Sequence, residues 1–201
     1  MQKNPISVLL IGAPGTGKGT QSRYIIQDFA AIHVAPGNIL RKAVEEGTLL
    51  GKKVSKHIEK GNLAPEETVM ACVDECIANV PKDAVLLFDG YPRTLKQSIH
   101  VEEALKKNNR TLDLVIHLGA SPQTLINRLM RRKELEGRSD DNPKSIKRRL
   151  EVHARHMPPI LARYKAQNRL HIIREGSIQQ VYKNIKLLLE SYSVKAPSHG
   201  A

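Results

Sequence analysis

Tryptophan is absent from this chain and aromatic residues make up only 3% of it, too few for the stacking platforms on which proteins bind single-stranded nucleic acid. Cysteine is almost as scarce. Cys72 and Cys76 fall with Val69, Val73 and Ile77 on one face of a predicted helix, where a thiol packs as a small hydrophobe rather than entering a disulfide or half a metal site. Long apolar runs are missing too. The longest, such as Ala84-Val85-Leu86-Leu87-Phe88, fall far short of the roughly 18 to 20 residues that cross a bilayer, so no membrane partner is expected. Met1-Gln2-Lys3-Asn4-Pro5 runs straight into a strand-like stretch without the basic region, apolar run and cleavage site of a leader. The expected location is cytoplasmic. Negative charge is in short supply: 20 acidic residues against 32 Lys and Arg leave a formal charge of +12. That excess implies an anionic partner without choosing among nucleotide, nucleic acid and lipid.

What is present reads as one domain of 201 residues, long enough to bury a core. Apolar runs at Ile6 to Ile11, Ala84 to Phe88, Leu114 to Leu118 and Leu170 to Ile173 predict strands. Helical spacing marks Lys18 to Ala30, Pro65 to Ala78, Leu95 to Leu105, Pro122 to Met130 and Ile178 to Leu189 between and after them. Strands alternating with helices predict an α/β protein with a parallel sheet covered on both faces. Ser121-Pro122 and Asn142-Pro143 each pair an N-cap with proline at the first helical position, and Pro158-Pro159 is expected to kink or end the helix begun near Asn142. Two segments break the alternation. Residues 36–64 read as two short helices broken around Gly47, and Lys133 to Asp141 as a polar hinge; both are candidate mobile parts. Ser193 to Ala201 reads as a frayed tail.

Gly12-Ala13-Pro14-Gly15-Thr16-Gly17-Lys18 ends the first strand and opens the first helix. That places successive backbone N–H groups and a positive helix end around one anion, with Lys18 reaching the outer phosphates as a point charge. After Lys18 comes Gly19-Thr20 rather than the usual Ser or Thr. Gly-x-Pro-Gly-x-Gly-Lys-Gly-Thr is the version that resembles nucleoside monophosphate kinases. A second anchor, Asp89-Gly90-Tyr91-Pro92-Arg93, follows the buried run ending at Phe88, at the carboxyl end of a strand where open parallel sheets bind ligands. It resembles the same family's Asp-Gly-[Phe/Tyr]-Pro-Arg. Between residues 128 and 155 lie ten Lys or Arg, whose order and spacing look like the short-lid adenylate kinases, and Lys133 to Asp140 leaves room for only a brief loop without zinc ligands.

The resemblance spans Ile6 to Leu189 and implies a P-loop kinase fold: a five-stranded parallel sheet flanked by helices (core 1–33, 65–130 and 142–192), a helical NMP-binding flap (34–64), a short lid (131–141) and a tail (193–201). The implied reaction is reversible transfer of the terminal phosphoryl group of ATP to AMP, with Mg²⁺ and no structural zinc, commonly in a monomer. For ATP it implies Gly12, Pro14, Gly15, Thr16, Gly17, Lys18, Gly19, Thr20, Arg128, Arg132 and Gly176. For AMP it implies Pro36, Arg41, Asn62, Leu63, Ala64, Gly90, Tyr91, Pro92, Arg93, Gln97, Arg138 and Arg149. Lys18, Arg93, Arg128, Arg132, Arg138 and Arg149 form the implied catalytic clamp, and Asp89 orients water on the metal; Arg131 matches no role and is expected on the solvated side.

Gln97 favours AMP, because a carboxamide offers one donor and one acceptor side by side to an adenine edge. A UMP/CMP kinase is the nearest alternative, and a basic nucleic-acid-binding or inactive P-loop module the alternative from another class. Pro36 and Asn38 depart from the family's Thr and Asp, which leaves base selectivity and metal use open. His153, His156 and His171 lack ligand spacing and are expected on the surface or partly packed.

Overall fold

The computed structural model describes residues 5–136 and 141–194. Five parallel strands, β1 (Ser7–Gly12), β2 (Ile32–Val34), β3 (Leu86–Asp89), β4 (Leu114–Leu118) and β5 (Leu170–Ile173), form one sheet in the order β2-β3-β1-β4-β5. The chain switches direction across the sheet at β1, whose neighbours are β3 and β4. Ligands in such sheets bind at the carboxyl ends beside that switch, and both glycine turns lie there.

Alternation along the strands sorts the core into two layers. Leu9, Ile11, Leu86, Phe88 and Val115 face α4 (Glu66–Ala78), α5 (Leu95–Lys107) and α7 (Pro143–Ala166), while Val8, Leu10, Leu87, Leu114 and Ile116 face α1 (Lys18–Phe29) and α8 (Ile178–Val194). Burying each such Val, Leu or Ile contributes roughly 1.5 to 3 kcal/mol. Two helices, α2 (Pro36–Glu45) and α3 (Leu49–Glu59), stand apart from the sheet. They share a small cluster of Leu40, Val54 and Ala64, as expected of two helices broken at Gly47.

Cys72 packs against this small cluster and Cys76 against the sheet cluster. Both are half-buried free thiols, and burial pushes both pKa values up. They behave as the small hydrophobes the spacing indicates.

Three expectations are corrected. The α7 helix runs unbroken through Pro158 and Pro159; Met157, Ile160 and Tyr164 on both sides of the pair are buried in the core, and that packing outweighs the lost backbone bonds. The helix after Ser121, α6 (Pro122–Glu136), takes in Lys133 to Glu136, which the sequence assigns to the hinge. Ser193, read as part of the tail, lies in the last turn of α8 as a buried residue whose hydroxyl donates to the Leu189 carbonyl. The expected caps form: Asn142 Oδ1 accepts from the Ser145 N–H at 2.9 Å, and Ser121 Oγ from the Thr124 N–H at 3.3 Å.

Candidate active site

A cleft of about 1020 Å³ opens over the carboxyl ends of β1, β3 and β4, the size of a cavity that encloses a small organic ligand. One wall is the loop from Gly12 to Thr20. Gly12 has a φ of +149°, and a Cβ there would come within 2.5 Å of the Leu118 carbonyl oxygen, so only glycine lets β1 leave the sheet beside β4. Lys18 curls back into the loop, donating from Nζ to the carbonyls of Gly12 at 2.8 Å and Ala13 at 3.0 Å. Its pKa is lowered to about 7, first by burial and then by the charges of Arg93, Arg149 and Arg132, against the pull of Asp89. The site is a concentration of positive charge that an anion would relieve.

Asp89, at the end of β3, accepts at Oδ2 from the Ser22 hydroxyl at 2.9 Å and contacts His33 Nε2 at 3.3 Å. Burial acts to raise its pKa, but the His33 hydrogen bond, the Lys18 charge and Ser22 outweigh it and hold the carboxyl below its ordinary value. Asp89 is therefore an anionic oxygen group beside the phosphate loop, the hard donor type that suits Mg²⁺ through water.

Another wall brings together residues that the resemblance implies for AMP. Arg93 donates from Nε to the Gly90 carbonyl at 2.8 Å, and its backbone N–H is received by Gln97 Oε1 at 2.8 Å. Gln97 is buried and lines the cleft. Its carboxamide oxygen already holds the Arg93 loop, a use that its position on a helix did not disclose. Gly37 lies against both Arg93 and Arg41: a Cβ there would stand 3.2 Å from Arg93 Nη2 and 3.5 Å from Arg41 Nη1. Arg41 donates to Asn38 Oδ1, so Asn38 serves the arginine in this arrangement. Pro36 starts α2 at its first turn and lines the cleft with Asn62, Leu63 and Ala64. Gly90 and Pro92 also line it, as does Tyr91, but the Tyr91 ring is in the core and its hydroxyl bonds His100 Nδ1 at 2.8 Å.

Arg128 reaches the phosphate loop, donating from Nη1 to the Thr16 carbonyl at 3.4 Å. Arg132 and Arg149 meet on one buried carboxylate, Asp141, with contacts of 2.6 to 2.7 Å. Gly176 also lines the cleft. Arg131 is exposed, as expected, yet stands at the rim of the cleft. Arg138 lies outside the described residues. Sequence reading missed the roles of Asp141, His33 and Ser22: His33 and Ser22 act on Asp89 from more than fifty residues away, while Asp141 lies eight or nine residues from its arginines, and an aspartate following an arginine-rich helix was the one visible signal.

The comparisons agree with this geometry. The sequence model of the family described as "Adenylate kinase" matches residues 10–169. The chain is similar to the adenylate kinase of Porphyromonas gingivalis, 32% identical over 188 residues, covering 93% of this chain and 97% of that one. It is 36% identical over 180 residues to adenylate kinase isoenzyme 1 of Homo sapiens, 89% and 91% of the two chains. The adenylate kinase of Phocaeicola vulgatus is 31% identical over 186 residues, 92% and 98%. With a phosphate loop, an arginine-lined cleft and this likeness along nearly its whole length, the chain belongs to the adenylate kinase family, a family of nucleoside monophosphate kinases.

Proposed function

We propose that the chain transfers the terminal phosphoryl group of ATP to AMP, reversibly, giving two ADP. The observation that carries this reading is the convergence of Lys18, Arg93, Arg132 and Arg149 on one cleft, close enough that the arginines lower the Lys18 pKa. Phosphoryl transfer asks little covalent help of a protein and much positive charge around the group in flight. In this reading the loop Gly12 to Thr20 and Lys18 hold the ATP phosphates, Arg128 and Gly176 border the donor nucleotide, and Arg41 and Arg93 hold the AMP phosphate. Arg132, Arg149 and Arg138 span the transferring group. Gln97 presents its amide NH₂ to an acceptor on the adenine edge while its oxygen keeps Arg93 in place.

Mg²⁺ bound with the nucleotide supplies charge neutralisation, and Asp89 is the residue that would orient water on it. No strong general base is needed. Residues 34–64 act as the flap over AMP and residues 131–141 as the short lid over ATP; their closure excludes the water that would otherwise hydrolyse ATP. A cytoplasmic monomer is the state this reading assumes.

Arg93→Ala is the test. Loss of a transition-state charge contact is expected to lower turnover by on the order of a hundredfold or more, measured as AMP-dependent ADP formation. Near-normal turnover would overturn the role given to Arg93.

A further inference from the structure

Two histidines that pack together have no task in phosphoryl transfer, and one of them, His153, stands in the cleft wall. His117 on β4 and His153 on α7 have near-parallel rings, 9° between planes and 6.5 Å between centroids. Each keeps one ring nitrogen, Nδ1 of His117 and Nε2 of His153, buried and without a hydrogen-bond partner among the described residues. His153 lines the cleft one helical turn beyond Arg149, and so shares its face of α7.

The groups that act on His153 from the surrounding elements are cationic or become so: Lys18 from α1, His117 from β4 and Arg93 from the loop after β3. Lys18 acts on His117 as well. Asp89, the carboxylate that pulls on Lys18, is already engaged by Ser22 and His33. In the free protein burial and these charges keep His153 neutral, with its pKa pulled down to about 4. Phosphates in the cleft would reverse the local field. They neutralise Lys18 and Arg93 and add negative charge facing the ring, which favours the imidazolium.

Resting on the reading of this cleft as a nucleotide-phosphate site, we propose that His153 takes up a proton from solvent when nucleotide phosphates bind. It is then a positioning residue that tightens phosphate binding as pH falls. The proton adds to the unpartnered ring nitrogen, and no bond to the nucleotide forms or breaks.

Calorimetric titration of ADP into the full chain, without magnesium and in buffers of different ionisation enthalpy, counts the protons. Titration of ADP itself is common to wild type and variants, so the difference belongs to the protein. Near neutral pH, wild type is expected to take up about a third of a proton more per ADP than His153→Gln. Its ADP affinity is expected to gain about threefold more than the variant's between pH about 7.5 and about 6. His153→Phe, which keeps an aromatic ring in the wall, is expected to match His153→Gln and serves if the glutamine variant folds poorly. Equal proton counts in wild type and the folded variants would overturn the proposal and leave the nucleotide reading standing. No ADP binding at either pH would remove both.

Discussion

Asp141 grips Arg132 with both carboxylate oxygens, at 2.6 Å from Nε and 2.7 Å from Nη2, and is itself fully buried. Arg149 shares Oδ1 at 2.6 Å, so one carboxylate holds together two arginines proposed for the clamp. Pre-set charge is what transfer requires, because reorganisation during the reaction then costs little.

Asp141→Ala is therefore expected to act on both stability and catalysis. Taking one partner from a buried pair costs about 3 to 5 kcal/mol where the remaining charge is trapped. Both arginines reach solvent in part, so about 2 kcal/mol is expected here, read by urea denaturation, together with a fall of about tenfold in kcat/KM. Burial acts to raise the Asp141 pKa, but the Arg132 hydrogen bond and the charges of Arg132 and Arg149 hold it below its ordinary value. Its contribution is thus present above pH about 4 and lost as pH falls through the lowered value. A folded variant with unchanged stability and kinetics would show the contact to be idle.

Local features were legible in the sequence and long-range partnerships were not. The spacing from Gly12 to Thr20 and from Asp89 to Arg93 located both walls of the cleft, because each wall is a single turn after a strand. Four strands showed as apolar runs. β2 has only three residues, with His33 at its centre, too short for periodicity, and only the family resemblance supplied a fifth strand. Pro158 and Pro159 misled because local helix breaking was weighed without the buried Ile160 and Tyr164 that follow. The union of Arg132 and Arg149 on Asp141 needs α6 and α7 to come together, and no spacing encodes that.

Crowding at Gly37 gives a selective defect. In Gly37→Val the added side chain enters the space of the Arg93 and Arg41 guanidinium groups and displaces charges assigned to AMP. KM for AMP is expected to rise about tenfold while KM for ATP changes little. Steady-state kinetics with each substrate varied in turn checks this, and an equal rise in both constants would place the two arginines elsewhere in the reaction.

Acid sensitivity follows from His153. With its folded pKa pulled down to about 4 and an unfolded value near 6.5, the unfolded chain binds the extra proton more readily. Stability from this residue is complete well above pH about 6.5 and falls as pH drops from there to about 4, by about 3 kcal/mol. Thermal melts at pH about 5 and about 7.5 are expected to differ less in His153→Phe than in wild type. An unchanged pH difference would assign the acid sensitivity to other groups.

Replacing Cys72 and Cys76 together by Ala removes two half-buried sulfurs from two apolar clusters. A loss of about 1 to 2 kcal/mol in stability is expected, with turnover unchanged. A large loss of activity in the folded double variant would give the thiols a role beyond packing.

The most direct measurement is a coupled assay of ADP formation from ATP and Mg²⁺ with AMP, CMP, UMP and GMP offered separately. Turnover with AMP alone is the expected result, and it would show that Pro36 and Asn38 are compatible with adenylate as acceptor. Preference for CMP or UMP would contradict the role given to Gln97, and no transfer to any of the four would contradict the reading of the cleft as a phosphotransfer site.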